Sequence, residues 1–202
     1  VNGAFFVPNQ NDPLVDNSVY CAPFTLAAGQ TVSFSVDNSP PPGGDARTIG
    51  FWKNWASCSQ GGNQAPVLDE TLAQTLTGFI WIGNVAVNSC EEAVLILDKR
   101  NSDGRKQASD PCFNAASQML ATELNEVAGA RTCQGLVGLQ SETQAALVAA
   151  GFGILNDEEK ELEEFKACKL NKRNDAALIN LLNTNAGKLD DYNNNEPGSV
   201  CN

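Results

Sequence analysis

The sequence predicts an α+β chain: a short N-terminal β segment, in effect an incomplete sandwich, followed by a mainly α-helical, disulfide-stapled domain. Three observations predict it. Apolar residues alternate with period two before residue 40 and recur at helical spacing after it. Residues 1–46 contain no Lys or Arg, and Pro40-Pro41-Pro42-Gly43-Gly44 punctuates the change. The cysteines at 21, 58, 90, 112, 133, 168 and 201 are scattered, with no Cys-x-x-Cys, which is disulfide rather than metal or redox spacing. The expected organisation is therefore a β segment over 1–37, a Pro/Gly linker over 38–46 and a helical domain over 47–202.

Each element has a local reason. Val19–Leu26 is rich in β-formers and precedes a turn at Ala27-Ala28-Gly29-Gln30. Thr31–Val36 alternates strictly, with Val32, Phe34 and Val36 on one face, so the two segments read as a hairpin, and residues 1–7 supply a third strand. A sandwich needs about seven strands. Beyond the linker, Leu68, Leu72 and Leu76 mark a helix over Pro66–Leu76. Phe79–Val87 is extended and turns at Gly83-Asn84, and Glu91–Leu97 is a short helix. Asp110-Pro111 is an N-cap and first-turn pair opening a helix with Phe113, Ala116, Leu120, Leu124 and Val127 on one face, stopped near Gly129. Ser141-Glu142-Thr143-Gln144 reads as a capping box before Ala145–Ala150. Helices over Asp157–Lys169 and Asp175–Tyr192 complete the set.

Charge and composition exclude much chemistry. A net charge of −11 repels phosphate and argues against nucleic acid as a partner. No apolar run approaches the ~18 residues of a membrane span. The chain contains no His, which removes Ser-His-Asp and Cys-His catalysis and His-ligated metals. The chain begins with Val and shows no signal-peptide pattern, so a mature form or a fragment is expected. Its cysteine usage points to an oxidising setting: secreted, extracellular or at the cell surface.

Arg47-Thr48-Ile49-Gly50-Phe51-Trp52-Lys53-Asn54 is the most distinctive segment. With Leu95-Ile96-Leu97-Asp98, Ala108-Ser109-Asp110-Pro111, Leu120-Ala121-Thr122-Glu123-Leu124-Asn125 and Tyr192-Asn193-Asn194-Asn195 following in order, it resembles an uncharacterised family of secreted and cell-surface bacterial domains. That family carries an Arg-Thr-x-Gly-Phe/Tyr-Trp-Lys-Asn signature, often C-terminal to Ig-like β-sandwich repeats. The resemblance implies location and architecture, not a reaction. It also places Cys58, Cys90, Cys133 and Cys201 at family-like positions, whereas Cys112 and Cys168 look like additions. The expected pairs are Cys58–Cys90 and Cys133–Cys201, with Cys112–Cys168 third, although other connectivities stay open. Cys21 is left unpaired or intermolecular.

The remaining motifs have bland readings beside sharp ones. Phe51, Trp52 and Trp55 form either a sugar- or partner-binding platform or the anchor of the helical core, and the core reading is favoured. Lys53 within the cluster offers a cation–π contact or an ion pair. Setting Gly104 at position 6 of a calcium loop puts Asn101 at 3, Asp103 at 5 and Asp110 at 12, but Lys99 at 1, with Asp98 next door. The lysine spoils the register, and a polar turn is the expectation. The acids of Asp157–Glu164 crowd one helix start rather than facing each other across a cleft, so they read as a solvated face.

The expected function is a non-enzymatic structural or adhesive module without cofactor or metal. It is expected to assemble by β-strand complementation with a neighbouring subunit or an upstream β-domain, as a homo-oligomer or polymer. Val32, Phe34 and Val36 would serve as assembly strand. A stand-alone glycan- or protein-binding domain is the alternative, and an enzyme built on carboxylates a distant third.

Overall fold

Two units divide the chain, Val1–Pro42 and Gly43–Asn202. The computed structural model describes residues 2–8, 19–25, 44–54, 58, 71–75, 78–153 and 166–201. In the first unit, β1 (Asn2–Pro8) pairs antiparallel with β2 (Val19–Thr25), Asn2 facing Thr25 and Phe6 facing Cys21. The described partner of β2 is thus the N-terminal strand, whereas Thr31–Val36, expected to form the hairpin with it, lies outside the described residues.

The second unit is mainly helical, so the chain has an α+β fold. It contains α1 (Ile49–Asn54), a hairpin of β3 (Ile80–Ile82) and β4 (Val85–Val87), α2 (Cys90–Leu97), α3 (Pro111–Val127), α4 (Gln134–Ala149) and α5 (Ala176–Asn193). Gly44–Ala46, read from sequence as linker, belong to this unit: Gly44 bridges to Ala130, donating to Gly129 O at 3.1 Å and accepting from Arg131 N at 3.2 Å. The hairpin turns at Gly83, whose φ of 60° suits a Gly-first two-residue loop. A Cβ there would lie 2.8 Å from Phe152 O, so the turn packs backbone against backbone.

α3 is the central helix. Asp110 Oδ1 caps it by accepting from the N–H groups of Cys112 and Phe113, Pro111 occupies its first turn, and Gly129 at φ 83° ends it. Phe113, Leu120 and Leu124 are fully buried, meeting Leu136 and Leu147 of α4, Leu182 and Leu189 of α5, and Phe152, whose ring stands edge-on to Phe113 at 5.2 Å. Each such side chain contributes about 1.5–3 kcal/mol when buried.

Two helix boundaries differ from expectation. α4 begins at Gln134, so Ser141–Gln144 lie mid-helix rather than at its start. Its true N-cap, Cys133, makes no side-chain cap bond, so the sequence carries no start signal there. The disulfide to Cys201 fixes that end instead. Residues 166–170 are not helical, so the helix expected over Asp157–Lys169 does not reach its C-terminal end as read; residues 157–165 lie outside the described residues. Leu72 is buried as expected, while Leu68 and Leu76 fall outside them.

Three disulfides staple the helical unit: Cys58–Cys90, Cys112–Cys168 and Cys133–Cys201, with Cα–Cα distances of 5.5, 6.1 and 5.6 Å. They are the three pairs named from the sequence. Among the described residues, no helix is long and apolar enough to cross a membrane.

Candidate functional site

The most organised polar region is a seam between α3 and α5. Gln118, Thr122 and Asn125 recur on one stripe of α3, one turn apart and nearly so, and all three are buried. Asn193 of α5, fully buried, accepts at Oδ1 from Thr122 Oγ1 (3.1 Å) and Asn125 Nδ2 (2.8 Å). Its Nδ2 donates to the backbone oxygen and Oε1 of Gln118 at 3.0 and 2.9 Å. Gln118 Nε2 in turn donates to Asp190 Oδ1 at 2.7 Å.

The seam grips the chain as it enters the unit. Asn125 Oδ1 accepts from Arg47 N and Trp52 Nε1 at 2.8 and 3.0 Å, while its Nδ2 also donates to Arg47 O at 2.8 Å. Asn195 does the same to Ala46, accepting from its N–H at 2.9 Å and donating to its carbonyl at 3.0 Å. A side-chain amide presents a donor and an acceptor side by side, so each asparagine acts as a one-residue strand partner. Gln144 repeats the device at Gly83, with both bonds 2.8 Å. Beside the grip lies a cavity of about 290 Å³ whose lining includes Asp45, Arg131, Tyr192 and Ser199.

A second polar cluster surrounds Asp98. Its carboxylate accepts from Lys53 (2.7 Å), Lys106 (2.8 Å) and Arg100. Burial works to raise the Asp98 pKa, but the hydrogen bonds from Lys106, Lys53 and Arg100 outweigh it and hold the carboxyl well below the usual range. Asp98 also ends α2, and the next residue, Lys99, takes φ 52°. Lys99 N bonds to Ile96 O and Arg100 N to Leu95 O, the Schellman closure that usually employs glycine. Lysine in that conformation costs about 1 kcal/mol. Its Nζ donates to Asn114 Oδ1 at 2.9 Å.

A third cluster lies between α3 and α4. Gln140 Nε2 donates to Glu123 Oε1 and Glu126 Oε2 at 3.0 and 2.9 Å. Burial, reinforced by the neighbouring Glu126, pushes the Glu123 carboxyl up to about 7, and burial raises Glu126 as well. Tyr192, pushed up to about 12 by burial and by Glu126, donates to Arg131 O at 2.8 Å.

The residues singled out in sequence meet different fates. Trp52 is 1% exposed and bonded through its indole N–H, so it anchors the core and offers no platform. Phe51 is partly buried edge-on against it, with the Arg47 guanidinium 5.2 Å from the Phe51 ring centroid; Trp55 lies outside the described residues. Lys53 makes an ion pair, with Asp98. The calcium-loop residues are engaged elsewhere. Asn101 Oδ1 accepts from Arg105 N, its Nδ2 donates to Asp103, and Asp110 caps α3. Asp110 approaches the sulfurs of Cys112 and Cys168, but both belong to a disulfide. Cys21 sits in β2 opposite Phe6 in register, while Val32, Phe34 and Val36 lie outside the described residues.

Sequence reading missed the amides of Gln118, Asn125, Asn193 and Asn195 as a set. The available signal was the Asn run at 193–195 at the end of an apolar stripe, where a polar residue facing inward requires a partner. The seam can bind backbone and fix geometry; it assembles no nucleophile with an adjacent base. Comparison with protein-family models, curated proteins and solved structures gives no match, so the reading of this chain rests on its own residues.

Proposed function

We propose that this protein is a non-enzymatic extracellular structural or adhesive module, whose helical unit serves as a rigid base for N-terminal strands completed by another polypeptide segment. The observation that carries the reading is the two-stranded sheet of β1 and β2. Among the described residues it has no third strand, and a two-stranded sheet is marginal in water without one. Among the described residues each strand is paired along one edge only. β2 carries Pro23, which lacks a donor, whereas β1 has none between Asn2 and Val7, making β1 the more complete edge for a partner strand.

The helical unit supports the same reading from its side. Three disulfides suit an oxidising compartment, and the paired bonds from Asn125 and Asn195 fasten the incoming chain at Ala46 and Arg47. Tension arriving from the N-terminal side would thus meet several hydrogen bonds acting together. The resemblance to secreted and cell-surface bacterial domains agrees with this location.

The test is association state. Full-length protein is expected to form dimers or larger species on size-exclusion chromatography with light scattering, while a chain of residues 43–202 remains monomeric. A full-length monomer with Cys21 bridged to one of its own cysteines would overturn the reading.

One observation favours a second reading, a glycan- or protein-binding surface. Trp81 of β3 is 51% exposed and stands edge-on to Phe79 at 5.4 Å. The rings are perpendicular rather than coplanar, a poorer stacking platform for a sugar face. Loss of binding to a glycan array in Trp81→Ala would bring this reading forward.

A further inference from the structure

One carboxylate at the end of α2 gathers more positive charge than it neutralises. Lys53 Nζ and Lys106 Nζ donate to the same Asp98 oxygen, Oδ1, at 2.7 and 2.8 Å, and Arg100 Nε donates to Oδ2. Two ammonium groups bonded to one oxygen stand within about 5.5 Å of each other, where like charges repel. Three cations thus meet a single anion. Five of the chain's 13 bases, Lys53, Lys99, Arg100, Arg105 and Lys106, lie in the last turn of α1 and the 98–106 loop, whose acids are Asp98 and Asp103. Burial lowers the Lys99 pKa, Asp190 pulls it back, and the positive charges of Lys106 and Lys53 lower it further, so the excess is felt at a third lysine.

The array is fixed beneath and accessible above. The Asp98 side chain is 20% exposed, against 29% for Lys53, 44% for Arg100 and 48% for Lys106, so the carboxylate lies under its own cations. Lys53 uses one N–H on Asp98 and Lys106 two, the second on the Asp98 carbonyl at 2.6 Å; among the described residues their other hydrogens have no protein acceptor. The loop that carries Arg100 and Lys106 is held by its own bonds. Asn101 N donates to Arg105 O at 3.0 Å, Gly104 N to Asn101 O at 2.8 Å and Arg100 Nη1 to Gly104 O at 2.8 Å, and the Arg100–Lys106 bridge closes it. The donors are therefore assembled before any ligand arrives, which removes the entropy cost of collecting them.

We propose that the Asp98 cluster is an anion-binding site for a phosphate group, either free or carried as a monoester on a larger molecule. The excess of positive charge matches a phosphate monoester, which carries about −1.5 to −2 near pH 7. A singly charged carboxylate or phosphodiester would leave part of it unmatched. The free N–H groups of Lys53, Lys106 and Arg100 Nη2 supply charge-assisted hydrogen bonds to the phosphate oxygens, with Asp98 holding the three cations in place. The chain's net charge of −11 does not oppose this locally, because exposed charges beyond a Debye length, about 8 Å at physiological ionic strength, are largely screened. Every group named lies in the helical unit, so the proposal does not rest on the assembly reading.

The experiment is an amide NMR titration of the full chain with inorganic phosphate at constant ionic strength, repeated with glucose 6-phosphate and with acetate. Saturable shifts are expected at Lys53 and residues 98–107, with half-saturation below about 10 mM phosphate, and no saturation by acetate over the same range. Lys53→Gln and Lys106→Gln should each weaken phosphate binding by about fivefold or more. Lys172→Gln, which removes the same charge from an exposed position elsewhere, should leave it unchanged. Phosphate-free spectra report whether each variant is folded, and Lys106, the more exposed of the two lysines, carries the test if Lys53→Gln unfolds. Glucose 6-phosphate binding as tightly as inorganic phosphate supports a carried monoester, whereas binding of inorganic phosphate alone supports the free ion. The proposal is overturned if no saturable shift localises to these residues, or if acetate binds equally well. It is also overturned if Lys172→Gln weakens binding as much as Lys106→Gln, which would reduce the effect to general screening.

Discussion

Asn125 shows how one side chain can join three parts of a chain. Both hydrogens of its amide and its oxygen are occupied, by Arg47, Trp52 and Asn193, and the side chain is 1% exposed. Truncation strands several buried partners at once, each costing about 1–3 kcal/mol. Asn125→Ala should therefore lower unfolding free energy by about 3–4 kcal/mol in urea titration, well above an exposed Asn→Ala control such as Asn183→Ala. Glu123 supplies a pH prediction of definite sign. Its carboxyl releases a proton near 4.5 when unfolded and about 7 when folded. Between those values the folded chain holds more protons, so this group makes stability fall as pH rises from 4.5 to about 7. Glu123→Gln should flatten that part of a Tm–pH profile. Above pH 7 it should add about 1–2 kcal/mol, allowing for the solvent-facing part of the side chain.

At the scale of elements, the disulfides substitute for signals the helices lack. α4 starts at an uncapped Cys133 and contains Gly135 and Gly138, yet it is ordered from its first turn because Cys133 is tied to Cys201. Gly135 also admits Val200: a Cβ there would sit 2.9 Å from the valine side chain. Closing a loop with a sequence separation of 68 residues restrains the unfolded chain by about 4 kcal/mol on the chain-entropy model. The double variant Cys133→Ser/Cys201→Ser should lose about that much stability. Hydrogen exchange should rise first at residues 134–138 and 196–201. If exchange there stays at the parent level while α5 opens instead, the disulfide is not what holds the start of α4.

For the whole molecule, the division at residues 42 and 43 is the decisive feature. The helical unit contains its own core, its three disulfides and the amide seam, so residues 43–202 should fold alone. A chain starting at Gly43 should unfold cooperatively with a Tm within a few degrees of the full-length transition. Starting at Arg47 instead removes Gly44 and Ala46 from their bonds to Gly129, Arg131 and Asn195, and should cost about 2–3 kcal/mol. Equal Tm values for the two chains would show that the grip on residues 44–46 contributes nothing.

The sequence by itself determined the α+β class, the switch of period near residue 40, the caps of α3 at Asp110 and Gly129, and the turn at Gly83-Asn84. All of these rest on interactions within a few residues, where side-chain chemistry and backbone preference act directly. Tertiary structure alone decided the start of α4, the register in which β1 pairs with β2, and the fate of Trp52 in the aromatic cluster. It also decided which amides meet. Arg47, Asn125 and Asn193 lie far apart in sequence, and an asparagine on a helix reads as an exposed or capping residue until its partner is known. Burying such a group is unfavourable unless every bond is made, and whether they are made depends on the packing of α3 against α5, which no local pattern encodes.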